Sequence, residues 1–306
     1  MLGHRIVASA VILSIIVVAV AVDRNHPAWH GLPLLPLAVP FALLAAGEMS
    51  RLAAMRPPAP AATALAGVTL VLLAAAIPMA WDAWGGGYPH DCPVGRLGWL
   101  LWGTLLAGGL LAAAAVVTFR PDDAGRLERL AKTVWVVVYP GLLFAFLVLL
   151  RQVGTHGWGL TMVVAVILIP KAGDTGAYFG GRRFGRRKLA PRLSPGKTIE
   201  GGVAGILAAM AAAGCYFAWI APALFGVGSI RGGSVWRSLL LGGVLAVVGI
   251  MGDLFESMLK RDAGVKDSSG WLPGLGGILD TVDSILFCAP VGYAFCLANW
   301  QGAGVG

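Results

Sequence analysis

Four carboxylates, Asp253, Glu256, Asp280 and Asp283, lie in the run GDLFESMLKRDAGVKDSSGWLPGLGGILDTVDS from Gly252 to Ser284, at the ends of two apolar segments. Lys260, Arg261 and Lys266 lie between them. An ionised residue at the centre of a membrane helix costs roughly 2.5 to 3.5 kcal/mol, so several uncompensated acids would cost on the order of 10 kcal/mol. They need cations, water or both. Asp280 and Asp283 are three apart, on neighbouring turns of one helical face, and Asp253 and Glu256 repeat that spacing. Clustered carboxylates with open positions suit Mg²⁺, which keeps several waters and takes one or two carboxylates plus substrate phosphates. Gly274, Gly276 and Gly277 fit a tight entry into the last helix. The bland alternative is that the acids only pair with Lys260, Arg261 and Lys266.

Two further groups could do chemistry. In Lys171-Ala-Gly-Asp174-Thr-Gly-Ala-Tyr178-Phe-Gly180-Gly181, Asp174 and Tyr178 are four apart and share a helical face. The glycines there either permit close helix packing or let a ligand approach the backbone. Next, a loop holding Arg182, Arg183, Arg186, Arg187, Lys188 and Arg192 runs into Ser194-Pro-Gly-Lys197-Thr198-Ile-Glu200-Gly201. Anionic head groups explain the arginines, at about 1 kcal/mol per basic residue. The ordered segment after them offers hydroxyls, a lysine and backbone amides to phosphate oxygens. A Walker site is excluded, because Pro191 stands where the first glycine of G-x-x-x-x-G-K-[ST] would be and no strand precedes it.

Of the 306 residues, 58% are hydrophobic and only 12% are charged, against about 25% in a soluble domain. We therefore expect an all-α polytopic membrane protein with about nine transmembrane helices, at about 6–22, 32–48, 61–80, 97–119, 133–150, 158–180, 201–225, 238–252 and 278–300. Residues 1–306 read as a single membrane domain, with N-terminal helices over 1–170 and the chemistry over 171–306. The first segment has a rival reading as a cleaved leader ending at Ala19-Val-Ala21. No CxxC pair occurs among the four cysteines, so neither a disulfide framework nor a zinc site is indicated.

The net charge of +8 is explained by basic loops rather than by a nucleic-acid partner. Alternate loops carry 17 lysines and arginines on one face and five on the other, ten of the 17 within 181–200 and 253–277. That places the N-terminus and both charge-rich loops in the cytoplasm and, with nine spans, the C-terminus outside. Trp29, Trp81, Trp84 and Tyr88 on the other face read as an interfacial aromatic belt.

The run from Ser257 through Lys260-Arg261, Lys266-Asp267, Gly276-Gly277-Ile278 and Asp280 to Asp283 resembles, with its spacing intact, the signature of the phosphatidate cytidylyltransferase (CDP-diacylglycerol synthase) family. Asp174, Ala177 and Tyr178, the Ser194 to Gly201 segment and Gly252-Asp253-x-x-Glu256-Ser257 resemble the same family. The likeness is specific from about residue 170 onward. Leu275 and Thr281 depart from it, standing where the family has His and Arg. The resemblance implies transfer of a cytidylyl group from CTP to phosphatidic acid in a cell (inner or plasma) membrane. It implies catalytic Asp253, Asp280, Asp283, Lys260 and Lys266, with Mg²⁺ on Asp253, Asp280 and Asp283 and room for a second, monovalent cation. Asp174, Tyr178, Ser194, Lys197, Thr198, Glu200, Ser257, Arg261 and Asp267 would bind substrate. Membrane lipids are the expected surroundings and a homodimer is compatible with the pattern. The rivals are a related CTP-using lipid enzyme, such as a polyprenol or dolichol kinase or a CDP-archaeol synthase, and a cation-coupled transporter without enzymatic activity.

Overall fold

The computed structural model describes residues 2–26, 29, 31–53, 61–84, 88, 95–117, 125–154, 157–227, 235–270 and 276–300. Eight segments among them are long and apolar enough to cross a membrane. Helix α1 (Leu2–Asn25) has 24 residues, enough for a ninth. The protein is an all-α polytopic membrane protein. Its chain divides into two compact units, one of Met1–Gln152 with Asp262–Thr281, the other of Val153–Arg261 with Val282–Gly306.

In the first unit α1 is followed by α2 (Leu35–Leu52), α3 (Ala61–Trp84), α4 (Gly95–Val117), α5 (Arg126–Val136) and α6 (Leu143–Arg151). Small residues make α3 the shared partner of α2, α4 and α6, with Ala64, Gly67, Ala74, Ala75 and Ala76 buried. Between α5 and α6 the helix widens to π geometry over Val137–Leu142 around Pro140, whose ring and missing N–H disturb the regular ladder. One buried ion pair closes the unit: Arg151 Nε donates to Asp23 Oδ2 at 2.6 Å, and Asp23 is wholly buried.

The second unit holds α7 (Trp158–Phe184), a hairpin of β1 (Lys188–Ala190) and β2 (Ser194–Thr198), α8 (Ile199–Cys215), α9 (Ala221–Phe225), most of α10 (Val235–Asp262) and most of α11 (Ile278–Trp300). Helices α7 and α8 meet along a seam of small residues. A Cβ at Gly205 would stand 2.8 Å from Gly173 O and 2.9 Å from Ala177 Cβ, and one at Gly180 or Gly176 would collide with Ala204 or Ala208. These glycines therefore serve close helix packing, one of the two roles the sequence left open.

Two expectations need correction. The eighth span does not stop at Gly252 but continues to Asp262, so Asp253 and Glu256 sit inside a helix rather than at the edge of a loop. Good helix formers follow Gly252, and Lys260 pairs with Glu256 one turn away at 2.7 Å. The stretch 188–198, read as loop, is an antiparallel hairpin pairing Lys188 with Thr198 and Ala190 with Ser194.

Candidate active site

Continuation of α10 puts Asp253, Glu256 and Lys260 at i, i+3 and i+7, along one face. Helix α11 approaches that face closely because Gly252 has no side chain: a Cβ there would stand 2.8 Å from Asp283 O and 3.1 Å from the Phe287 ring. Phe255 and Phe287 pack beside it with ring centroids 5.4 Å apart. Asp253, Glu256 and Asp283 are thereby gathered, each offering a carboxylate oxygen within 4.8 Å of the others. Glu256 and Asp283 are buried.

Each acid faces a lysine. Lys197 Nζ, at the end of β2, is 2.5 Å from Asp253 Oδ2. Lys260 Nζ is 2.7 Å from Glu256 Oε2. Lys171, from inside α7, lies 3.8 Å from Asp283 Oδ1 and 3.5 Å from Asp174 Oδ2, and donates to Ser284 Oγ at 3.1 Å. Ser284 N donates to Asp283 Oδ1 at 2.6 Å, and Ser257 Oγ donates to Asp253 Oδ1 at 3.4 Å. Counting Asp174, four acids share three lysines, Lys171 serving both Asp174 and Asp283. Oxygen ligands around Mg²⁺ at its usual bond length lie about 3 Å apart when adjacent and about 4 Å when opposite. Three carboxylates within 4.8 Å of one another therefore fit such an ion after small side-chain shifts.

The remaining sequence candidates fall in several places. Thr198 is the N-cap of α8, accepting from Gly201 N at 3.1 Å. Glu200 accepts from the backbone N–H groups of Arg186 and Arg187 at 3.0 and 3.1 Å, fastening the entry to the hairpin. Arg261 Nε donates to Leu193 O at 3.3 Å, at the hairpin turn. Ser194 is half-buried in β2, and Tyr178 is exposed against the edge of Phe179. Lys266 and Asp267 are exposed on the loop after α10.

Asp280 belongs to the first unit, where its Oδ2 accepts from Ser268 N at 2.9 Å, Ser268 Oγ at 2.7 Å and Gly277 N at 2.7 Å. Thr281 Oγ1 donates to Gly277 O at 3.0 Å within the helix. Leu275, the other departure from the signature, lies outside the described residues.

The resemblance assigns no role to Lys171 or Glu256, although both stand in the groups singled out from the sequence, and Glu48 is not among those groups at all. The signal for Lys171 was its charge within a span, where an ionisable residue is a functional candidate by default. Glu48, in α2, carried the same signal.

A cytidylyltransferase family profile matches residues 3–298. The chain is 42% identical over 132 residues to a phosphatidate cytidylyltransferase of Haemophilus influenzae, covering 43% of this chain and 44% of that one. It is 40% identical over 210 residues to a phosphatidate cytidylyltransferase of Pseudomonas aeruginosa, covering 67% and 69%. To the uncharacterised protein YnbB of Escherichia coli it is 35% identical over 193 residues, covering 62% and 61%. The chain thus spans between about half and two-thirds of the length of these curated relatives.

Proposed function

The chain belongs to the cytidylyltransferase family, and from that premise we propose that it transfers a cytidylyl group from CTP to phosphatidic acid, releasing pyrophosphate and forming CDP-diacylglycerol. The observation that carries this reading is the paired set of Asp253, Glu256 and Asp283 with Lys197, Lys260 and Lys171. Acids alone would suit a bare cation. Acids interleaved with lysines suit a cation already bound to a triphosphate.

A lipid phosphate oxygen attacks the α-phosphorus of CTP, a new P–O bond forms, and the bond to the β-phosphate breaks with its electron pair leaving on pyrophosphate. Such transfers depend mainly on positioning and charge neutralisation. Asp253, Glu256 and Asp283 would hold Mg²⁺, which supplies Lewis acidity and a template for the triphosphate. Lys197 and Lys260 exchange their carboxylates for phosphate oxygens as substrate enters. Lys171, tethered between Asp174, Asp283 and Ser284, offers the same service from within the span. Asp280, held by Ser268 and Gly277, belongs to the other unit and enters this reading only as the aspartate of the signature. A lipid phosphate is already ionised near neutral pH, so the attacking oxygen needs little help from a base, and a leucine in place of the signature His leaves the reaction feasible.

The surplus of basic residues in alternate loops supports an N-terminus and active-site loops in the cytoplasm, where CTP is found. Incubating the purified chain in lipid with labelled CTP, phosphatidate and Mg²⁺ should give labelled CDP-diacylglycerol and unlabelled pyrophosphate only when label is on the α-phosphate. Label passing from the γ-phosphate to a polyprenol would move the assignment to a lipid kinase. No turnover of CTP with any lipid would overturn it.

A further inference from the structure

Glu48 lies inside α2, is 2% exposed, accepts three hydrogen bonds from residues more than 200 positions downstream and lies beside a fourth donor that it shares with Asp280. Its Oε1 accepts from Ser269 Oγ at 2.6 Å and Ile278 N at 3.1 Å. Its Oε2 accepts from Leu279 N at 2.8 Å and lies 2.9 Å from Ser268 Oγ. Ile278 and Leu279 are the first two residues of α11, whose leading N–H groups have no partner within the helix and carry the positive end of its dipole. Residue 277 is a glycine and offers no capping side chain. The cap comes instead from another helix, as a carboxylate, which a helix N-terminus favours.

The glycine pair of the signature fits the same arrangement. Gly276 has φ +88° and makes the turn, while a Cβ at Gly277 would collide with the Glu48 carboxylate and Ser268 Oγ. The Ser268 hydroxyl reaches both Glu48 Oε2 and Asp280 Oδ2, at 2.9 and 2.7 Å. Glu48 therefore touches the loop before α11, the first turn of α11 and, through one hydroxyl, the signature aspartate.

We propose that Glu48 is a positioning residue for the transfer reaction, holding Ser268, Ser269 and the start of α11 so that Asp280 keeps its orientation. The proposal rests on the function given above only for its kinetic consequence; the clamp itself is independent of substrate.

Glu48→Gln keeps the volume but replaces one acceptor oxygen by an NH₂ group that cannot accept, so Ile278 N, Leu279 N and Ser269 Oγ can no longer all be met as they are by the carboxylate. In the full-length protein kcat should fall by about tenfold or more, as for outer-shell partners of a reacting group, with KM for CTP within about twofold. Amide exchange at 268–269 and 277–281 should quicken by about tenfold while the rest of the chain keeps its protection. Unchanged kcat and unchanged exchange overturn the proposal, as does a drop in kcat with exchange in this segment unaltered. Should Glu48→Gln fail to fold, Ser269→Ala removes one donor of the four and should move both readouts in the same direction; no movement in either is equally fatal. If the wild-type chain does not turn over CTP, the proposed function falls and exchange alone decides the clamp.

Discussion

Three carboxylates within 4.8 Å repel one another by about 3.5 kcal/mol per pair at an effective dielectric of 20, and the lysines beside them offset that repulsion. Either those ion pairs are the purpose of the site, or they hold it ready for a metal and phosphates. Asp253→Asn and Asp283→Asn separate the two. If they are ligands, each should lower turnover by about 100-fold, by analogy with loss of a single charge-stabilising group. The double variant should be little worse, as for residues acting as a unit, and the requirement for Mg²⁺ should rise in parallel. If they are only ion-pair partners, melting in detergent should shift while turnover of the surviving protein stays near wild type. A second residue-scale expectation concerns Thr281 and Leu275. Thr281 bonds within its own helix, so we expect the natural protein to be active, and Leu275→His with Thr281→Arg to keep or raise CTP turnover; rescue of an inactive wild type by that pair would show a degenerate site. Asp253 and Asp283 were legible in the sequence because an acid beside an apolar run is conspicuous and its neighbours fit a signature. Glu48 was not, since nothing near it in sequence is a partner: the groups that satisfy it begin at residue 268.

At the scale of elements, hydropathy located the spans because lipid imposes one length and one composition on every crossing helix. It failed where charge enters a helix that does not end. Helix α10 runs ten residues past Gly252, carried by the Glu256–Lys260 pair and stopped near Gly264, whose φ of +69° suits a helix terminus. The hairpin was hidden for a different reason: basic side chains and two prolines read as loop, while its pairing depends on backbone bonds that sequence periodicity over three residues cannot reveal. The glycine seam between α7 and α8 gives a prediction of its own. Gly205→Ala should destabilise the protein by about 1–3 kcal/mol, as overpacking does, measured by thermal melting in one fixed detergent. Gly196→Ala meets nothing within 4 Å and should melt with wild type; equal melting of both would mean that the seam does not set helix spacing.

For the whole molecule, the membrane crossing can be tested one side at a time. Arg51→Cys and Arg187→Cys, both at exposed positions, should react with an impermeant maleimide only from the cytoplasm. Asn25→Cys, exposed at the end of α1, should react only from outside; reaction from the cytoplasm would mean that α1 does not cross. Glu48 adds a matter of timing to this arrangement. Its four partners lie 220 to 231 positions later, so at about 5–20 residues per second the ribosome needs on the order of 10–50 s to supply them. Until then Glu48, near the end of α2, lacks the donors that later surround it. Arrival of the first turn of α11 ends that interval, so the N-terminal unit is finished only when nearly the whole chain has been made.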